Sequence, residues 1–261
     1  MADPLERAWD AYSEGRLEDV LERLGDCATD DAARYQLECL VRVELADLAG
    51  ARGALERAQA LGADPAEVGQ VQATAWLALY EWRVADARAA LEALLADERT
   101  PEVLDRLALC LELEHDFAGA DRLLAEAERL DPEVFPRPPR LSEGEFDAVV
   151  RRAIGRIEGP YAKALETTAV IVEAVPWREL LAGGDVAETP PDLLGLFVGP
   201  SELDGHESAE MPPTIFLFQR NIERASRDQD DLSEQIEVTL YHEFAHLLGF
   251  DEEGVDEIGL A

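Results

Sequence analysis

A short pattern of apolar and small residues returns four times in the first half of the chain. Its copies begin at Leu17, Leu48, Val84 and Phe117, so the steps between them are 31, 36 and 33 residues. A leucine follows each copy at helical spacing, and Ala, Leu, Glu and Arg dominate the segments, which favours helix. One helical hairpin cannot bury its apolar face alone, whereas stacked hairpins bury each other. Residues 1–132 are therefore predicted to form an all-α domain of stacked helical hairpins.

The spacing of these hairpins resembles that of tetratricopeptide repeats, which have a period of about 34 residues. The last copy ends at Leu130-Asp131-Pro132, which resembles the end of such a repeat. The resemblance implies a TPR-like domain that binds a substrate or a protein partner. An irregular helical bundle is the alternative.

A proline-rich segment divides the chain. Residues 131–141 contain four prolines, which cannot continue a helix and favour an extended connector. We therefore predict a linker at 133–141 and a second domain over 142–261.

The second domain alternates between helix and strand signals. A capping box, Ser142-Glu-Gly-Glu145, predicts the start of a helix. Strands are predicted within Thr167–Val175, Leu193–Val198 and Thr214–Phe218, because these runs are apolar or β-branched and end at turn residues or a polar loop. A last helix is predicted from about Asp231 to Leu248. These elements make a small α+β domain.

A metal-binding motif lies close to the C-terminus. Residues 242–252 read H-E-F-A-H-L-L-G-F-D-E, which is H-E-x-x-H-x-x-G-x-x-E. Histidines four residues apart lie on one helix face and can share one zinc ion, while the glutamate between them faces the open side of the metal. We predict His242 and His246 as zinc ligands and Glu243 as the catalytic acid/base. The alternative is a surface helix whose histidines are merely solvated.

The third zinc ligand is predicted in the acidic segment that follows the motif. Gly249 is placed to end the helix and turn the chain back towards the metal. Glu252 is the first candidate, followed by Asp251 and then Asp256. His206, in the predicted loop 200–213, is a remote alternative.

Other zinc-site arrangements fit this chain less well. A ligand from a second helix downstream would have only 15 residues after His246 in which to form. A later Met-turn is absent, because Met1 and Met211 both precede the motif.

The stretch Thr239–Glu253 resembles the bacterial zincin-like, or minimal, metallopeptidase family. The resemblance includes residues 194–199 and 213–218 and the helix around Phe146, and covers about residues 141–260. It implies a compact zincin core. In it His242 and His246 match the two ligands, Glu243 the catalytic residue and Gly249 the turn glycine. The family commonly has Asp as third ligand at the position that Glu252 occupies here.

These observations predict a zinc metalloendopeptidase whose repeat domain binds the substrate or a partner. Tyr241 or Tyr161 could stabilise the oxyanion, although a packed tyrosine is the alternative for each. The strands at 193–198 and 214–218 are candidates for pairing with an extended peptide. Two other functions remain open: an interaction module with a weak or inactive zincin domain, and a structural metal-binding protein.

Composition narrows the partners and the compartment. The 57 acidic and 23 basic residues give a net charge of −34, which disfavours nucleic acid and anionic membrane as partners. The N-terminus has neither a basic region nor an apolar run, so we predict a cytoplasmic protein without a signal peptide. The three cysteines, Cys27, Cys39 and Cys110, are odd in number and lack a C-x-x-C pair. They therefore predict neither a disulfide framework nor a thiolate metal site.

Overall fold

The computed structural model describes residues 3–27, 30–97, 99–157, 161–181, 189–200, 212–251 and 254. Contacts between Cα atoms divide the chain into two compact units. The first comprises Met1–Phe135 and Trp177–Pro191, and the second comprises Pro136–Pro176 and Asp192–Ala261. The sequence predicted two consecutive domains, and those boundaries stay a prediction.

The first unit is helical, as predicted. Its described part contains eight α-helices and a 3-10 helix at Arg178–Leu181. The α-helices are α1 Pro4–Ser13, α2 Leu17–Gly25, α3 Ala32–Glu44, α4 Leu48–Ala60, α5 Val68–Tyr80, α6 Val84–Asp97, α7 Pro101–Leu113 and α8 Phe117–Leu130. Each odd-numbered helix packs mainly on the helix that follows it. The unit is consistent with repeated hairpins, while the TPR-like type stays a prediction.

The four hairpins share one kind of turn. The second residue before each even-numbered helix has a left-handed backbone: φ is +71° at Gly15, +58° at Ala46, +59° at Trp82 and +63° at His115. These residues follow the same steps of 31, 36 and 33 as the sequence pattern. Only the first turn uses glycine, so three turns hold an L side chain in a conformation that costs about 1–2 kcal/mol.

Two even-numbered helices also begin in the same way. The side chain of Asp47 accepts a hydrogen bond from the Gly50 N–H at 2.8 Å, and that of Asp116 accepts one from the Gly119 N–H at 2.9 Å. These caps satisfy backbone donors that the first turn of a helix leaves unpaired.

Within the first unit, a hydrogen bond joins Thr189 to the helical part of the chain. The indole N–H of Trp82 donates to the carbonyl oxygen of Thr189 at 3.0 Å. Both residues are buried, which makes this an internal bond of the unit.

The second unit is a small α+β fold around a three-stranded sheet in the described residues. Its elements are α9 Glu143–Ile154, α10 Tyr161–Glu166, β1 Ala169–Glu173, β2 Gly195–Val198, β3 Thr214–Phe218, α11 Gln219–Ala225 and α12 Gln229–Leu247. The strand order is β1-β3-β2, with β1 parallel and β2 antiparallel to β3. The three predicted strands and both predicted helices are therefore present.

The core of the second unit lies between β3, α9 and α12. Ile215 and Leu217 of β3 are fully buried with Phe146 of α9 and Leu240 of α12. The buried positions of α12 recur at spacings of three and four residues, which is the period of one helix face. They are Leu232, Ile236, Thr239, Leu240, Glu243, Phe244 and Leu247, and Ala245 beside them is also buried.

Within the second unit, a buried carboxylate binds the end of the proline-rich segment. Glu223 of α11 is only 1% exposed. It accepts hydrogen bonds from Arg140 Nη1 at 2.7 Å, the Leu141 N–H at 3.0 Å and Gln219 Nε2 at 2.8 Å. These donors are a guanidinium, a backbone N–H and a side-chain amide, and they compensate the carboxylate for its burial.

Among the helices of the described ranges, none is long and apolar enough to span a membrane. Cys27, Cys39 and Cys110 are buried thiols that belong to no disulfide, and burial raises the pKa of the Cys39 thiol to about 12.

Candidate metal centre

The motif residues lie in the last two turns of α12. The side chain of Asp228 caps the start of this helix by accepting hydrogen bonds from the backbone N–H groups of Asp230 and Asp231. The apolar face of α12 packs on the core of the second unit, so the backbone of the motif is held in place by this packing. His242 and His246 are half-buried, whereas Glu243 is 6% exposed.

The two histidines bring a pair of nitrogens together. Nε2 of His242 and Nε2 of His246 are 3.1 Å apart. Two imidazole nitrogens on one tetrahedral zinc at about 2.0–2.1 Å would be roughly 3.3 Å apart. The two imidazoles therefore fit one zinc ion with little movement.

The second ring nitrogen of His246 is also engaged. Nδ1 lies 3.0 Å from the carbonyl oxygen of Phe250. A carbonyl oxygen can only accept, so the hydrogen of the neutral imidazole is on Nδ1 and the lone pair is on Nε2. A ligand histidine needs this tautomer, and a backbone carbonyl is a common partner for its other nitrogen.

Gly249 creates this arrangement by ending α12 in a left-handed turn. Its φ is +95°. The Gly249 N–H donates to the His246 carbonyl at 2.9 Å, and the Phe250 N–H donates to the Ala245 carbonyl at 3.1 Å. This pair of bonds is the Schellman motif, which turns the chain back over the last helical turn. The Phe250 carbonyl is thereby brought to His246.

Glu243 lies against strand β2. Gly195, the first residue of β2, is buried beside it. A Cβ atom on Gly195 would be 2.8 Å from Glu243 Cγ and 2.9 Å from Glu243 Oε1. The carboxylate therefore fits between helix and sheet only because residue 195 has no side chain.

The predicted third ligands are not brought into a three-ligand cluster by the described residues. Among these, no group of three His, Cys, Asp or Glu side chains is placed to hold a metal. The carboxylate of Asp251 is exposed and accepts a hydrogen bond from the Gly254 N–H at 2.9 Å. Glu252, Asp256 and His206 lie outside the described residues. The identity of the third ligand stays a prediction.

Tyr241 is a packed tyrosine, which was the alternative to its oxyanion role. Its hydroxyl donates to the carbonyl oxygen of Ala153 at 3.1 Å, which joins α12 to α9. Burial, together with the charge of Glu237, raises its pKa. The side chain of Tyr161 lies outside the described residues.

Sequence reasoning missed two positions of this site. The Phe250 carbonyl could have been found from the glycine expected to turn the chain, since a Schellman turn reverses the backbone two residues beyond the helix. Gly195 could have been found as a glycine inside an apolar strand, which commonly marks a close approach of another group.

A comparison with protein families agrees with this geometry. The model of the zincin-like metallopeptidase family matches residues 165–260. This range runs from α10 through the sheet and the whole H-E-x-x-H motif. No curated protein matches the chain. The matched part of the chain is thus similar to zincin-like metallopeptidases, which normally use zinc.

Proposed function

We propose that the protein is a zinc metalloendopeptidase that hydrolyses peptide bonds at His242, Glu243 and His246. The observation that carries the proposal is the 3.1 Å approach of the two Nε2 atoms while the Phe250 carbonyl engages His246 Nδ1. A pair of solvated surface histidines needs neither feature. The family match over residues 165–260 supports the same assignment.

In this proposal zinc supplies Lewis-acid chemistry, polarising a peptide carbonyl and lowering the pKa of a water molecule. His242 and His246 hold it through Nε2, and the proposed third ligand is Glu252, with Asp251 and Asp256 as alternatives. Glu243 takes a proton from the attacking water and delivers it to the leaving nitrogen as the C–N bond breaks. The products are a carboxylic acid and an amine, so Glu243 ends the cycle as it began.

The geometry also favours one strand as the substrate-binding edge. β3 is paired on both sides, so the earlier suggestion that residues 214–218 bind a peptide is wrong. β2 lies at an edge of the described sheet and next to Glu243. An extended peptide that pairs with β2 would place its backbone beside the carboxylate.

The helical unit is proposed to bind the protein substrate or a partner. In its support, Arg106 of α7 pairs with Glu44 of α3 and donates to the Tyr80 hydroxyl of α5 at 3.0 Å. Charged and aromatic groups from three hairpins are thus joined in one cluster. Arg106→Gln is expected to raise KM for a folded protein substrate and to leave KM for a short peptide unchanged. A KM for the folded protein that is the same in Arg106→Gln and wild type, with an unchanged unfolding midpoint, would contradict this role.

Glu243→Gln tests the peptidase assignment. The variant is expected to retain zinc and to lose hydrolysis of a broad peptide pool by about 100- to 10,000-fold, the contribution of a general acid/base. Glu237→Gln, on the same helix, is the matched control and is expected to keep full activity. If zinc-loaded wild type hydrolyses no peptide in the pool, the chain is instead an interaction module with an inactive zincin domain.

A further inference from the structure

We propose that Gly195 is a positioning residue for the Glu243 carboxylate. The inference rests on the proposed function, because positioning matters only if Glu243 acts on substrate. Because residue 195 has no Cβ, β2 can lie close to α12 and to the Glu243 side chain.

The contact is closer than any side chain at residue 195 allows. A Cβ there would meet Thr239 Cγ2 and Glu243 Cγ at 2.8 Å each, and Glu243 Oε1 at 2.9 Å. Cβ atoms essentially never come within 3.0 Å of a heavy atom outside their own residue and its two chain neighbours. The obstructing atoms belong to two residues one helical turn apart, so both turns of α12 face the glycine.

The steric clash of an added Cβ would be relieved by a movement of the Glu243 side chain. Thr239 and Glu243 are equally buried, each 6% exposed, but Thr239 is β-branched, which restricts its χ1 rotation. β2 is tied to β3 by the pairing of Gly195 with Leu217. The longer, unbranched Glu243 side chain has more rotatable bonds, so it is the partner that can change its rotamer. A methyl group at residue 195 would therefore turn the carboxylate away from its present position.

Two features make alanine a clean probe of this contact. The φ of Gly195 lies outside the left-handed region, so alanine adds no backbone strain. The atoms that a Cβ would meet do not belong to His242 or His246, so zinc binding has no direct reason to change.

The first test needs no activity. The unfolding midpoint is measured for the full chain as wild type, Gly195→Ala, Glu243→Ala and the double variant. Glu243→Ala removes Cγ and Oε1, two of the three atoms that the added methyl group would meet. Gly195→Ala is therefore expected to lower the unfolding midpoint of Glu243→Ala by at most roughly half as much as it lowers that of wild type, because neighbouring residues are coupled. Gly53→Ala, where a Cβ would meet no atom within 4 Å, is the control. If Gly195→Ala does not fold alone, folding of the double variant supports the contact. Equal losses in both backgrounds, or failure of both to fold, would overturn it.

The second test separates positioning from function. Gly195→Ala is expected to keep its zinc and its KM while kcat falls roughly 100-fold, the scale of an ångström-sized misplacement. Adding Thr239→Ser, which removes Cγ2, is expected to recover part of kcat. Unchanged kcat, or loss of zinc in parallel with kcat, would overturn the positioning role. A coupled unfolding result with an inactive wild type would support the contact and overturn the proposed function.

Discussion

The Nδ1 atom of His246 lies 3.0 Å from the carbonyl oxygen of Phe250, four residues further along the chain. This hydrogen bond leaves the lone pair of the neutral imidazole on Nε2, the atom that faces His242. It depends on the left-handed backbone of Gly249, which reverses the chain after α12. The glycine of the motif therefore acts on the candidate metal centre through a main-chain carbonyl, in addition to ending the helix.

Gly249→Ala is expected to weaken zinc binding by about 10- to 100-fold, the usual effect of losing a partner of a ligand histidine. It should also lower stability by about 1–2 kcal/mol, because φ of +95° is strained for an L side chain. Zinc affinity by chelator competition and unfolding by urea measure the two effects.

Gly62→Ala is the matched control for this prediction. Gly62 has φ of +87° and no atom within 4 Å of an added Cβ, so it carries a similar backbone penalty in the helical unit. It should lose stability and keep zinc affinity. If both variants lose zinc affinity equally, the Phe250 carbonyl has no specific role.

Ala46→Gly is expected to raise stability by about 1 kcal/mol. Ala46 is exposed and holds φ of +58°, a strain that glycine relieves at the cost of a more flexible unfolded chain. His115→Gly, at the equivalent turn, should act in the same direction. Urea unfolding checks both, and Gly15→Ala should destabilise. A loss of stability in Ala46→Gly would show that the left-handed turn is not strained.

Glu223→Gln is expected to destabilise the second unit by about 3 kcal/mol, because it leaves Arg140 without the buried charge that it pairs with. The carboxylate is 1% exposed and Arg140 is 28% exposed. Glu237→Gln breaks the surface pair with Arg156, whose side chain is 61% exposed, and should cost under about 1 kcal/mol. Equal costs for the two variants, measured by thermal unfolding, would contradict a structural role for Glu223.

The stability difference between wild type and Asp47→Asn is expected to depend on pH. The Gly50 N–H, followed by the Arg42 guanidinium, lowers the pKa of the Asp47 carboxyl in the folded protein. A carboxyl whose folded pKa is lowered stabilises the fold above its unfolded pKa of about 3.9. That contribution disappears as the pH falls through the folded pKa. Thermal unfolding of both proteins from pH 7 down to about pH 2.5 measures it, and a pH-independent difference would contradict it.

Local patterns in the sequence predict most of the secondary structure. The predicted strand Thr214–Phe218 is present with the same bounds. The predicted helix start at Ser142 is also present, and the Glu145 carboxylate accepts a hydrogen bond from the Ser142 N–H at 2.9 Å. The strand and the helix start each depend on a few neighbouring residues, and their positions could therefore be predicted from local sequence. The 31-, 36- and 33-residue steps likewise reappear in the turns at Gly15, Ala46, Trp82 and His115.

Contacts between distant segments could not be predicted in this way. Among the described residues β3 is the last strand in sequence but lies in the middle of the sheet, because strand order depends on packing against α9 and α12. The closeness of Gly195 to Glu243 joins residues that are far apart in sequence. For the third ligand, the sequence offers several carboxylates within a few residues, and the choice depends on where the chain runs after Gly249.

The metal content of the purified full chain tests the central claim most directly. Wild type and His246→Ala are each purified without added metal. Elemental mass spectrometry then measures the zinc content per chain of both proteins. The proposed zinc site predicts about one zinc ion per wild-type chain, as for a mononuclear site, and loss of that ion in His246→Ala. Absence of zinc from wild type even after reconstitution, or equal zinc in both proteins, would contradict it.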